Sequence, residues 1–222
     1  MISSKQYLSQ TEHALQSMFD SITHYSELIK MSIPPMKVIR HSGKAGEFEE
    51  KYEAWRTQPN IQQDLEFAEY AREEYQASLF SMHVISGSIL QIACKYIELY
   101  STKTEFDEDI KYLYEGCKPR AISKLAKYAV GDKLRGVPIG LIIYSGRNQY
   151  NHIEENGELT NVVNINVFRA LATNHEYGDF TDPAFDLNND SIIAYSSNIR
   201  ALLGWDNYSR FLGDMRSLFE AR

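Results

Sequence analysis

The segment Leu79-Phe80-Ser81-Met82-His83-Val84-Ile85-Ser86-Gly87-Ser88-Ile89-Leu90-Gln91-Ile92-Ala93-Cys94-Lys95-Tyr96-Ile97-Glu98-Leu99-Tyr100 decides the fold class. It is the mostly apolar second half of the longest periodic stretch in the chain, about 61–101. The first half, Gln62 to Gln76, is polar, with Leu65, Phe67, Tyr70 and Tyr75 interspersed. A helix that is apolar on most sides must be surrounded by protein, so residues 79–100 read as the central helix of a bundle. Ser86-Gly87-Ser88 in its middle predicts a kink or the close approach of a neighbour. Asn60, after Pro59, reads as the N-cap.

Outward from this segment the helical period continues. Residues 3–31 carry Tyr7, Leu8, Leu15, Met18, Phe19, Ile22, Tyr25, Leu28 and Ile29 on one stripe at three- and four-residue steps. Pro34-Pro35 ends that helix. Residues 36–46, with His41, Gly43 and Gly46, read as a loop, and a charged helix follows from about Glu47 to Thr57. Beyond Tyr100 come an acidic loop at 102–108 and short helical pieces at about 107–115 and 119–130, with Gly116 and Gly131 as stops. The segment 138–155 starts with the apolar run Pro138 to Tyr144. Residues 160–174 read as a helix capped by Thr160, although Val162 to Phe168 alternates as a strand would. Asp182-Pro183 predicts a helix start, Asp190 a second one closed by Gly204, and 205–220 a last amphipathic helix. The fold class is therefore all-α: a bundle of about seven to nine helices in one domain, 1–222. Residues 1–58 form an N-terminal helical extension packing on a core at 60–220.

The totals narrow the function. A net charge of -7 and a pI of about 5.4 argue against bulk attraction to nucleic acid, though not against a local basic face. Cys94 and Cys117 make neither a metal spacing nor a disulfide framework. The N-terminus, Met-Ile-Ser-Ser-Lys-Gln-Tyr, has no apolar signal-peptide region, and no window approaches 18 uninterrupted apolar residues. The expected location is the cytoplasm, with no membrane partner.

Chemistry concentrates in Gly146-Arg147-Asn148-Gln149-Tyr150-Asn151-His152. Arg stays charged and presents a planar donor fork matched to phosphate oxygens. His titrates near neutrality and can take or give a proton. The two suffice to cleave RNA without metal, because the attacking hydroxyl is the substrate's own 2′-OH. On a continuous helix, residues five apart lie about 140° apart with about 7.5 Å of rise, so Arg147 and His152 do not share a face. Arg147 shares one with Asn151, and Asn148 with His152. Two such helices around a twofold axis would bring both faces to one groove. The loose Arg-to-His spacing recurs at Arg169 and His175, where Ala170 follows the arginine in plain amphipathic helix; that match reads as a decoy.

Arg147-Asn148-Gln149-Tyr150-Asn151-His152 resembles the signature of the HEPN superfamily: an Arg, a polar residue such as Asn, a spacer and a His. The resemblance covers this motif and the all-helical architecture of residues 60–220. It implies a metal-independent endoribonuclease with no cofactor, leaving a 2′,3′-cyclic phosphate. It further implies a homodimer with both motif copies in one cleft, and service as a toxin or an anti-phage or anti-plasmid effector, with an antitoxin or other partner protein to neutralise it. Carried over by residue, Arg147 and His152 are the catalytic pair and Asn148 the supporting polar position. Tyr150 and Asn151 are supporting residues of the spacer. Members without nuclease activity exist, so a non-catalytic helical dimerisation or interaction module is the alternative. A ligand-binding helical bundle is a third reading.

A basic run, Lys118, Arg120, Lys124, Lys127, Lys133 and Arg135, leads into the motif with only Asp132 against it. It reads either as a solvated helix face or as contacts to RNA phosphates, carried by Lys118, Arg120, Lys124 and Lys127. Asp186, Asn188 and Asp190 mimic the start of a calcium loop, but Ser191 replaces the needed glycine and Ser197 the closing glutamate. Asp107, Glu108 and Asp109 read as an acidic turn at a helix start. No metal site is expected.

Overall fold

Pro59 stands at the first position of a helix that runs to Tyr100. Proline is suited to that place, since the amide it lacks would have no helical partner there. The Gln58 carbonyl accepts from the amides of Ile61 and Gln62, each at 2.9 Å. Asn60 therefore lies inside the first turn and is not the cap that its type predicted.

The computed structural model describes residues 2–32, 45–151, 161–176, 178–192 and 194–219. Its helices are α1 (Ser4–Met31), α2 (Ala45–Arg56), α3 (Pro59–Tyr100), α4 (Pro119–Leu125), α5 (Ile139–Asn151), α6 (Val162–Thr173), α7 (Ser196–Leu202) and α8 (Tyr208–Ser217). Single 3-10 segments span Glu108–Tyr114 and Ala126–Tyr128, and β1 (Lys133–Leu134) pairs with β2 (Val137–Pro138) in a two-stranded antiparallel hairpin. The architecture is an all-α, multi-helix bundle, as the periodicity required. Residues 45 and 46, expected in a loop, begin α2; the rest of that loop, with His41 and Gly43, lies outside the described residues.

The chain divides into two compact units: Met1–Ile22 with Met82–Arg222, and Thr23–Ser81. The boundaries fall inside α1 and α3, not at the 58–60 junction where the sequence suggested one. In the second unit, Ile61, Ala71 and Ser78 are buried on α3. Phe48, Tyr52 and Trp55 form an aromatic row along α2, with successive centroids 5.9 Å apart.

The first unit holds most of the core. Leu8, Leu15, Phe19 and Ile22 turn one stripe of α1 inward, and Phe19 meets Phe211 of α8 at 6.0 Å. α3 contributes Ile89, Leu90, Ala93, Cys94, Tyr96 and Ile97, all buried. Among the described residues α3 is the one helix long and apolar enough to cross a membrane by length and composition. The buried stripe Ile89, Leu90, Ala93, Cys94, Tyr96 and Ile97 accounts for part of that composition.

α5 is more enclosed than the sequence indicated. Ile139, Gly140, Leu141, Ile142 and Ile143 are consecutive and all buried, so its first turns meet protein on every side. Three glycines permit the close fit. A Cβ on Gly87 would stand 2.5 Å from the Tyr150 ring, so the Ser86-Gly87-Ser88 signal marks close approach along an unbroken α3. A Cβ on Gly146 would strike Ile199 of α7, and one on Gly140 would strike the Tyr128 carbonyl. The Gly140 amide also donates to Val130 O at 3.0 Å, joining the start of α5 to the chain before the hairpin.

Several local expectations were overturned by tertiary contacts. Val162 to Phe168 is helix, because Val163, Val167 and Leu171 bury one face; the side chain of Asn161 caps it, accepting from the Val163 amide at 3.0 Å. Thr160, the expected cap, lies outside the described residues. Asp182-Pro183 opens a turn, not a helix. One Asp182 oxygen accepts from the Ala184 amide at 2.9 Å and the other holds Arg135 at 2.7 Å, so the side chain closes an Asx-turn. α7 begins at Ser196, well after Asp190, and Gly204 (φ 65°) follows it as expected. The hairpin carried no Asn-Gly signal. Arg135 (φ 52°) and Gly136 (φ 77°) form its turn, and Arg135 accepts the unusual backbone because its guanidinium is held by Leu171 O and Asp182.

The fit of Gly140 generates a stability prediction. Gly140→Ala should lower unfolding free energy by about 1–3 kcal/mol, the usual cost of overpacking where a backbone carbonyl cannot yield. An unchanged midpoint in urea denaturation would contradict the contact with Tyr128.

Candidate anion-binding site at Arg147

α5 loses its apolar enclosure over its last two turns, and there the polar residues emerge. Gln149 stays inside at 2% exposure, and its Oε1 accepts from the Tyr195 amide at 3.1 Å, tying α5 to the entry of α7. Tyr150 lies half-buried across Gly87, and Asn151 is exposed. Arg147 and Asn148 are half-buried between these extremes.

Arg147 is held by neutral oxygens. Its Nε donates to Gln91 Oε1 of α3 at 2.7 Å, and Nη1 donates to Asn148 Oδ1 at 3.0 Å. Among the described residues no carboxylate pairs with it. A guanidinium has five N–H donors, so among the described residues two are engaged and three remain, one on Nη1 and two on Nη2. That remainder is a fork suited to two oxygens of one anion, with the positive charge not neutralised by any described carboxylate. Sequence reasoning identified Arg147 and Asn148 but not Gln91, which is 56 positions away in the chain.

Cys94 is close enough to feel the Arg147 charge. Burial pushes its thiol up, against the opposing pull of the Arg147 charge and of a hydrogen bond from Tyr128. The thiol stays protonated at neutral pH and is no nucleophile. Cys117 is likewise held up, chiefly by burial.

His152, the proposed proton carrier, lies outside the described residues. The imidazole that the described part of this region contains is His83, one helical turn before Gly87 on α3. Its Nδ1 sits 2.9 Å from Ser197 Oγ, and its carbonyl accepts from Ser196 Oγ at 2.8 Å, so it joins α3 to the first turn of α7. Burial lowers its pKa. Nothing in its sequence context distinguished it.

The basic run divides in two. Lys133 pairs with Asp109, and Arg135 pairs with Asp182 while lying 5.2 Å over the Phe185 ring. These two cations serve the fold. Lys118, Arg120 and Lys124 are exposed without carboxylate partners among the described residues, and Arg120 and Lys124 share a face of α4. Lys127 is half-buried, with Nζ donating to Glu98 O at 3.4 Å.

The two residues of the decoy sit in different surroundings. Arg169 is exposed on α6 beside an open cleft of about 470 Å³ that Tyr112, Glu115 and Asn166 also line. His175 instead packs on Phe180, ring centroids 4.7 Å apart. Among the described residues no group of His, Cys, Asp and Glu is arranged to hold a metal. Asp107, Glu108 and Asp109 are each paired with a lysine, and Asp186 closes an Asx-turn onto the Asn188 amide at 3.0 Å. Comparison with protein-family models, with curated proteins and with solved structures returns no match.

The burial of His83 sets a pH dependence. Folding holds the imidazole below its ordinary 6.5, so the unfolded chain binds the proton first. The unfolded state therefore gains as pH falls below that value: stability is full above it and declines beneath it. His83→Asn, which keeps an acceptor for Ser197 but cannot be protonated, should flatten this decline in thermal midpoints measured from about pH 5 to 8. An identical decline in the variant would show that His83 is not its source.

Proposed function

We propose that this chain is a metal-independent endoribonuclease of HEPN type, working in the cytoplasm as a homodimer in which two copies of the 147–152 motif face one groove. Arg147 binds the scissile phosphate and stabilises the charge that develops on its oxygens. His152 takes the proton of the substrate's 2′-OH, which attacks phosphorus. The bond to the 5′-oxygen breaks, that oxygen leaves with a proton, and the other product ends in a 2′,3′-cyclic phosphate. Asn148 steadies Arg147. Lys118, Arg120, Lys124 and Lys127 are contacts to flanking phosphates, which position the strand but read no sequence. The biological role is that of a toxin or an anti-phage or anti-plasmid effector, kept in check by a partner protein.

The observation that carries this reading is the state of Arg147: a guanidinium oriented by Gln91 and Asn148, uncompensated by any carboxylate among the described residues, with three donors left over. A structural arginine is normally paired, as Arg135 is with Asp182. A second reading, the non-catalytic interaction module, draws on a different observation. Phe67 and Tyr70 in the first half of α3, and Phe80 at the start of its second half, are 55%, 60% and 60% exposed, which is costly without a partner.

The two readings diverge in a cleavage assay. Purified protein incubated with total RNA in EDTA should produce fragments ending in 2′,3′-cyclic phosphate. His152→Ala should reduce the rate by about 100- to 10,000-fold, and Arg147→Ala by at least about 100-fold. If His152→Ala cuts as well as the unmodified protein, the assignment is wrong. Expression that slows growth only with Arg147 intact favours the nuclease, and harmless expression of both forms favours the module.

A further inference from the structure

We infer that Gln91 is the positioning residue of Arg147, and that its neutral amide keeps the guanidinium available to an anion. The inference rests on the ribonuclease reading for the identity of that anion, the phosphodiester of an RNA strand, and on geometry for the rest.

Position 91 is exposed, on the face of α3 that α5 leaves open one turn beyond Gly87. Neither burial nor packing therefore demands a glutamine there. A glutamate of nearly the same shape would hold Arg147 more firmly, since a charge-assisted bond is roughly twice as strong as a neutral one. It would also cancel the charge and compete for the remaining donors. The amide oxygen at 2.7 Å fixes Nε without doing either. With Asn148 Oδ1 on Nη1 at 3.0 Å, two neutral acceptors lock the guanidinium plane before any ligand arrives. The donors on Nη1 and Nη2 that no described residue takes up form a fork that can meet two oxygens of a tetrahedral anion together. Freezing a long side chain ahead of binding removes an ordering cost that the ligand would otherwise carry.

Clamping and charge neutrality can be separated by two variants. Gln91→Glu preserves the clamp and removes the net charge, whereas Gln91→Met removes the clamp and preserves the charge. The full-length protein would be assayed for RNA cleavage in EDTA and, in parallel, for binding an uncleavable oligodeoxynucleotide of the same sequence. The expected order in both assays is unmodified, then Gln91→Met, then Gln91→Glu. The glutamate variant should fall at least about tenfold in each, with a urea midpoint equal to or above that of the unmodified chain. The methionine variant should lose rate at saturating RNA more than affinity, because orientation matters most in the transition state.

A merely structural tie predicts the reverse order for glutamate. A Gln91→Glu protein that cuts and binds within about twofold of the unmodified chain overturns the inference while leaving the ribonuclease reading in place. If the unmodified protein binds the oligonucleotide but cuts no RNA, and Gln91→Glu abolishes that binding, the ribonuclease reading falls and the role of Gln91 stands. No binding by the unmodified protein overturns the anion site itself.

Discussion

The close passage of α5 across α3 organises the first unit. Tyr150 lies on Gly87, Gly146 sits beside Leu90, and Arg147 reaches Gln91, so α5 runs against the direction of α3. The passage depends on side chains that are missing. Gly87 has no Cβ to meet the Tyr150 ring, and Gly146 has none to meet Ile199 of α7. Interiors are packed densely enough that one methyl group at either place would force helices apart or rings out of position. The rest follows from this contact: α5 can bury its whole first half because neighbours approach it closely on all sides.

The same contact sets the chemistry at the other end of α5. Gln149 turns inward to satisfy the backbone before α7. Arg147 and Asn148, two and one positions earlier, emerge at the edge where α3 presents Gln91. Two amide oxygens orient the arginine, and among the described residues no carboxylate takes up its charge. Several other cations of this acidic chain are handled differently. Lys103, Lys111, Lys133 and Arg135 each have a carboxylate within ion-pair distance. Exposed pairs of this kind contribute little stability, but they do neutralise the local field. Arg147, Lys118, Arg120 and Lys124 are among the described cations without a carboxylate partner, so a net charge of -7 leaves room for a local basic face.

How well each feature could be read from the sequence depended on how local its cause was. The extents of α1 and α3 and the stops at Gly116 and Gly131 (both φ 82°) are written in periodicity and backbone preference. Asp182-Pro183 misled because the aspartate side chain is shared between its own turn and Arg135, 47 positions away. The alternation at Val162 to Phe168 was uninformative, since a buried helix with apolar residues on several sides also alternates in places. The Arg135-Gly136 hairpin turn was invisible because the bonds that stabilise its positive φ come from α6 and the loop after it.

By itself, then, the sequence determined the all-α class, the long helices, and the density of polar chemistry in residues 146–152. Helical period and backbone preference are properties of neighbours in the chain, and they can be read there. Only the tertiary structure decided that Ser86-Gly87-Ser88 is a crossing point, that Lys133 and Arg135 at the C-terminal end of the basic run are structural, and that Arg147 is clamped by an amide 56 positions away. Each of these is a contact between distant residues, and its energy depends on a distance that no spacing in the sequence encodes.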